Sequence, residues 1–384
     1  MKAKKKNSKK ILQKLLPAIM FLLMGAVCGV FISLYAFSDV DGKTEGESLL
    51  AFALLLIGVY AAMFVQIIIH EAGHLVFGLA SGYSFSSFRI SSLTLIKSQG
   101  KFKLRRLKVP GTAGQCLMVP PDLVDGKIPV VLYNLGGSLM NMLSAVAFVC
   151  LHVVLSGAPS ALMLIFAVVG FVFALINGVP IRAQMTNNDG VNALEVMREP
   201  EAMHSFWVQL KTVEQISKGI RLKDMPDEWF VLPSDEAMKN SMVSVKGVLA
   251  CNRFMDAKDF ERAREAIMHI LHTENGIIEL HRRMLICDLV FIEIINGATK
   301  QEIDELLDKK QKKFIKRMKN NPSVMRVLYF YTLLCESDSK KAEKIKKRFD
   351  AVCKIYPYSS ELEIEKDFMS TEFFNSVSLR GNNK

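Results

Sequence analysis

The sequence predicts a mostly α-helical protein in two halves: a polytopic membrane helix bundle of about four spans with a small cytoplasmic β-hairpin region, then a cytoplasmic α-helical repeat-like domain. Three observations lead there. Hydrophobic residues make up 50% of the 384, and the mean hydropathy of +0.23 is too apolar for an ordinary soluble chain. The apolarity is concentrated before residue 182, in long uninterrupted runs. Beyond Pro200 the composition turns polar, and apolar residues recur at helical spacing instead.

Taken in order, Lys2, Lys4, Lys5, Lys6, Lys9 and Lys10 precede an apolar run from Leu15 to Phe37. That run exceeds the roughly 7–15 apolar residues of a signal peptide and can cross a hydrocarbon core of roughly 30 Å, so it reads as a retained span with a cytoplasmic N-terminus. The loop Ser38–Ser48 holds Asp39, Asp41, Glu45 and Glu47 against Lys43 and suits the outer face. A second run, Leu49 to Ala80, returns inward with length to spare for tilt. Residues 82–127 are then strongly basic, with Arg89, Lys97 and the run Lys101–Lys108 outnumbering Asp122 and Asp125, which places this loop in the cytoplasm. Within it Phe88, Ile90, Leu93 and Leu95 alternate, and Phe102, Leu104, Leu107 and Val109 follow Ser98-Gln99-Gly100, a hairpin pattern. Two readings of the hairpin stand level: a basic ribbon on anionic headgroups, or a strand edge that captures an extended peptide through main-chain hydrogen bonds. Third and fourth spans, about Ile128–Leu155 and Ala161–Ile181, leave the remainder of the chain in the cytoplasm.

Charge agrees with this division. Residues 1–199 carry 18 Lys and Arg against 10 Asp and Glu, and residues 200–384 carry 31 against 28, so most of the net +11 flanks the membrane runs and nucleic acid is not implied. The seven cysteines lack C-x-x-C spacing, which indicates neither a disulfide framework nor a thiolate zinc site.

In the polar half, Met225-Pro226 and Leu232-Pro233 mark a linker around residues 220–234. Amphipathic segments follow at about 236–255, 257–272, 275–296, 300–318, 323–336 and 339–355. The domain boundaries are therefore 1–199, a connecting helix and linker over 200–234, a helical domain over 235–369 and a disordered tail over 370–384. His269, His272 and His281 read as surface residues of charged helices, and Lys309–Lys319 as a solvated or lipid-facing helix side.

The chemistry is concentrated in His70-Glu71-Ala72-Gly73-His74, an H-E-x-x-H motif inside the second apolar run. At 3.6 residues per turn both imidazoles lie on one helical face, close enough to bind one metal ion, with Glu71 beside them. A chance match on a soluble helix would be a solvated face. This one is flanked by residues without charge, and an uncompensated acid at membrane depth costs roughly 2.5–3.5 kcal/mol on insertion scales, so Glu71 needs a partner that a metal site supplies. A catalytic zinc centre takes three protein ligands and a water, with Glu71 as the base for that water. Asp189, in the turn Asn188-Asp189-Gly190 after Pro180, emerges on the same side of the membrane and is the best-placed third ligand; the alternative is a loop acid that caps the next helix near Val191. In the third span Gly136 and Gly137 suit close helix packing, and Asn141 suits a hydrogen bond near the site.

Together, H-E-x-x-H in one span, Gly137-x-x-x-Asn141 in a later one, and Asn177-x-x-Pro180 followed by Asp189-Gly190 resemble the site-2 protease family of intramembrane zinc metalloproteases over residues 50–195. The resemblance implies that His70, His74 and Asp189 bind Zn2+, that Glu71 activates water, and that Asn177 and Asn141 help hold the substrate backbone. Ser138 stands where the family pattern has a proline, and the link from Pro180 to Asp189 is longer than the family's. Ala257–Ala266 resembles the second helix of a tetratricopeptide repeat, which implies a solenoid-like domain gripping a cytoplasmic protein partner or a substrate tail; a stabilising helical bundle is the alternative. Two functions follow. One is a multi-pass cell-membrane endopeptidase that cuts a membrane-embedded protein or peptide near its cytoplasmic end. The other is a catalytically quiet, bilayer-anchored helical adaptor.

Overall fold

The computed structural model describes residues 45–98, 100–182, 185–373 and 375, with scattered positions between 19 and 30. The expected first span over residues 15–37, most of the loop after it and the tail beyond 375 lie outside the described residues. The chain divides into two compact units, one formed by Met1–Ser84, Ala113–Cys116 and Pro129–Met197, the other by Phe85–Thr112, Leu117–Ile128 and Arg198–Lys384.

The first unit is built on α1 (Glu45–Ala80), α2 (Val131–Val154) and α3 (Gly157–Gly178). Among the described residues these three helices are long and apolar enough to cross a membrane, and they coincide with the second, third and fourth expected spans. Only 22% of the apolar window of α1 is buried, so most of its hydrocarbon faces outward. Four polar residues of its second half do the opposite: Gln66, His70, Glu71 and His74 are buried, as is Asn141 on α2. A helix with apolar groups outside and polar groups inside is suited to lipid as solvent. Leu55 and Ala62 of α1 pack on Ala161, Ile165 and Val169 of α3. α1 and α2 meet backbone to backbone, because a Cβ on Gly73 would overlap the Gly136 carbonyl and one on Gly136 would lie 2.8 Å from the Gly73 oxygen. α3 ends at Gly178, before Pro180, as the proline requires. A short α4 (Asp189–Met197) completes the unit.

The strands form a sheet in the order β3-β2-β1-β4, from β1 (Ser84–Ile90), β2 (Leu93–Ser98), β3 (Lys101–Arg106) and β4 (Gly114–Val119). The expected hairpin is its first three strands. β1 and β2 pair antiparallel with Ile90 opposite Leu93, across a turn where Ser91 takes φ 57°. β2 and β3 pair antiparallel with Leu95 opposite Leu104, across a turn containing Gly100 at φ 75°. β4, Gly-Gln-Cys-Leu-Met-Val, is an added edge strand that the alternation did not mark.

The rest of the second unit is helical: α5 (Pro200–Ser217), α6 (Ser241–Asp256), α7 (Phe260–His272), α8 (Glu279–Ile295), α9 (Lys300–Leu306), α10 (Lys309–Arg317), α11 (Pro322–Phe330), a π-helical turn Tyr331–Cys335, α12 (Ser339–Cys353) and α13 (Ser359–Phe368). The segment expected over 300–318 is two helices, since the Asp308 side chain caps a new start by accepting from Gln311 N. Ala263 and Ala266 of α7 are buried, as tight helix packing asks. Phe291, Phe330 and Phe368 form an aromatic core that Phe373 joins, so ordered packing continues into the expected tail. His269 pairs with Asp235, and His272 bonds back to the Met268 carbonyl. The His281 Nδ1 is buried, and burial pushes that imidazole down to about 4.

Candidate functional site

His70, Glu71 and His74 occupy one buried stretch of α1, each less than a tenth exposed. The glycine pair of α2 makes the space: a Cβ on Gly137 would lie 2.5 Å from the His70 ring.

The hydrogen bonds fix which ring nitrogens carry protons. His74 Nδ1 lies 2.8 Å from the Tyr133 carbonyl, which can only accept, so Nδ1 donates. Asn141 Nδ2 donates to the Gln66 carbonyl at 2.9 Å and to Gln66 Oε1 at 2.7 Å, which orients the amide. Its Oδ1 therefore accepts from His70 Nδ1 at 2.7 Å. Gln66 is oriented in turn, because its Nε2 donates to the Phe166 carbonyl at 3.1 Å and its Oε1 also accepts from Ser144 Oγ at 3.1 Å. Both imidazoles thus turn a bare Nε2 lone pair inward, with the two atoms 3.2 Å apart.

Asp189 completes the cluster: its Oδ2 lies 3.0 Å from His70 Nε2 and 3.4 Å from His74 Nε2. That oxygen is buried without a protein hydrogen-bond donor. Three acceptor atoms facing one point repel one another unless a cation sits among them. Their separations, 3.0, 3.2 and 3.4 Å, bracket the edge of roughly 3.3 Å expected for a tetrahedron with metal–ligand bonds of about 2.0–2.1 Å. The donor set of two neutral imidazoles and a carboxylate therefore suits zinc, and His70, His74 and Asp189 are the residues that could hold it.

The long link to Asp189 is bridged by Asn188. Its Nδ2 donates to the Ile176 and Val179 carbonyls at 2.6 Å each, and its Oδ1 accepts from Ile181 N at 3.3 Å and Val191 N at 3.0 Å. One side chain joins the end of α3 to the start of α4, and Arg182 bridges Asn187 between them. Asn188, not Asp189, thus accepts from the first turn of α4 and leaves Asp189 for the histidines. Gly190 tightens the junction, since a Cβ there would overlap the Gly178 carbonyl.

Glu71 lies beneath the first residues of β4, where a Cβ on Gly114 would overlap its carboxylate. Tyr133 Oη donates to the Cys116 carbonyl at 3.0 Å and fixes this segment on α2. Burial and the Glu71 charge push the Cys116 thiol up to about 12, so it is no thiolate ligand. No protein-family model matches the chain, and neither a curated protein nor a solved structure matches it.

The structure brings His70, Glu71, His74, Asp189 and Asn141 together. Asn141 reaches the site through His70 and Gln66, which engage both ends of its amide. Asn177 Nδ2 donates at 3.0 Å to Phe173 O of its own helix. Sequence reasoning passed over Gln66, Tyr133 and Gly114, and marked Asn188 only as part of a turn. Gln66, a lone polar residue in an apolar run, was a visible signal; the Tyr133 contact uses a main-chain oxygen and has no sequence signal.

Proposed function

We propose that the protein is a zinc-dependent intramembrane endopeptidase, hydrolysing a peptide bond of a membrane protein or membrane-associated peptide near the cytoplasmic face. The observation that carries this is the convergence of His70 Nε2, His74 Nε2 and Asp189 Oδ2 beside Glu71, inside helices whose outer surface is hydrocarbon. Zinc at such a site supplies a Lewis acid that lowers the pKa of water and polarises a carbonyl. Glu71, buried next to the cluster, takes a proton from the attacking water and passes it to the leaving amine. His70 and His74 are held in the ligand tautomer by Asn141 and Tyr133 throughout. A helical substrate hides its carbonyls in its own hydrogen bonds, so it must be drawn out before attack. β4, an edge strand that begins against Glu71, is placed to align an extended peptide there. The basic β3, with Lys101, Lys103, Arg105 and Arg106, has the charge of a protected edge. The N-terminus and the second unit are cytoplasmic on this reading, with the helical unit available to a cytoplasmic partner.

Metal analysis of purified protein in mild detergent tests the proposal. Wild type carries about one zinc per chain and His74→Ala loses it, whereas Glu71→Gln keeps it. Metal-free wild type after purification without chelators would refute the reading.

A further inference from the structure

A concave site lies in the helical unit, far in sequence from the H-E-x-x-H motif. It is a cavity of about 470 Å3 lined by residues of α10, α11, the π-helical turn and α12. Six cations line it: Lys312, Lys316, Lys319, Lys341, Lys344 and Arg348. The one acid in the lining, Glu336, already pairs with Lys341 at 2.6 Å. Arg348 donates from Nη2 to the Lys319 carbonyl at 3.0 Å, while its Nε–H is buried without an acceptor. Apolar surface from Ile315, Leu328 and Ile345 lies among these charges. The π-helical turn contributes Tyr331 and Thr332, and such turns concentrate at functional sites.

We infer that this groove binds an acidic linear peptide segment in which an apolar side chain neighbours the carboxylates. Charge sets the sign of the ligand, because six cations line the groove against one acid, even with Lys341 paired to Glu336 and Lys312 to Asp304 at 3.5 Å. The apolar patch sets the rest of its chemistry. Lysines are point charges on flexible stems, which suit carboxylates spread along a chain better than the planar bidentate grip on a single phosphate. A recessed apolar surface is reached by an inserted side chain and not by the headgroups of a flat bilayer.

The test is fluorescence anisotropy on the full chain in detergent, with a labelled nonapeptide alternating Glu and Leu, and with Glu/Gly and Lys/Leu versions beside it. Two double variants of equal charge change are compared: Lys316→Glu with Lys344→Glu in the groove, and Lys309→Glu with Lys313→Glu on the same α10 but outside the lining. The groove pair weakens Glu/Leu binding roughly tenfold or more, and the outside pair leaves it within about twofold. Glu/Gly binds more weakly than Glu/Leu, and Lys/Leu does not bind. Equal loss in both double variants would overturn the inference in favour of general charge attraction. So would undiminished Glu/Gly binding, displacement by millimolar inorganic phosphate at constant ionic strength, or binding seen only with phosphatidylserine vesicles. Glu71→Gln binds like wild type, so this outcome and that of the protease reading are separable.

Discussion

Gln66 sits one turn before His70, fully buried in a helix whose neighbours are aliphatic. In such surroundings an amide keeps its hydrogen bonds or costs free energy, and here every one it makes runs to α2 or α3. The chain Phe166 carbonyl, Gln66, Asn141, His70 thereby fixes a ring tautomer four residues away. Replacing Gln66 by Leu keeps the volume and removes the orientation. Zinc affinity then falls about 10–100-fold while helicity by circular dichroism is unchanged. Competitive titration with a chromophoric chelator reads the difference; unchanged affinity would mean that Asn141 needs no orienting partner. The carboxamide of Asn177, bonded back to its own helix, gives a contrasting case. The Asn177-x-x-Pro180 spacing was legible, but spacing carries no information on which group a side chain bonds.

Among the elements, α4 depends most on a single residue. Asn188→Ala removes four hydrogen bonds at the α3–α4 junction, three of them part-buried and the one to the Val179 carbonyl exposed, at about 0.5–1.5 kcal/mol for each part-buried bond. Asp189 then loses its fixed position, so the variant binds zinc more weakly than wild type although all three ligands remain; equal affinity in the same titration would contradict this role.

The second unit has its own sensitive element in α11, where Arg326 is buried between Phe291 and Phe368 with ring centroids at 4.4 and 4.9 Å. It pairs with Asp288 and, at 3.1 Å, with Glu365. Burial pushes Glu365 up to about 7 against the pull of Arg326, and Asp288 adds to the rise. A carboxyl raised from 4.5 favours its protonated form when folded, so its contribution is complete below about pH 4.5 and is lost as pH rises through about 7. Thermal midpoints therefore fall between pH 5 and 8, and Glu365→Gln flattens that slope. Arg326→Met, which leaves two buried carboxylates, destabilises by about 3–5 kcal/mol at pH 8. A pH-independent wild-type midpoint would contradict this titration.

Element by element, legibility followed periodicity. The three long helices could be read because hydrocarbon length is a physical requirement, and β1–β3 because their side chains alternate. β4 could not, since Gly114 is there for its backbone contact with Glu71 and not for a pattern. α13 was also missed; its apolar spacing in Ser-Ser-Glu-Leu-Glu-Ile-Glu-Lys-Asp-Phe is sparse and diluted by charge.

For the molecule as a whole, charge and hydropathy divide the chain into an apolar and a polar half, and the reactive cluster falls on the apolar side of that division. A buried acid and three converging donor groups among helices long and apolar enough to cross a membrane are costly for a scaffold and suited to hydrolysis in a water-poor setting. The direct test compares membrane peptide termini from cells carrying wild type with those carrying Glu71→Gln, which keeps the metal ligands and removes the base. New termini within an apolar segment, found only with wild type, are the predicted result and would name the substrate. Identical termini from the two cells, with both proteins present and zinc-loaded, would contradict the protease account and favour a bilayer-anchored adaptor.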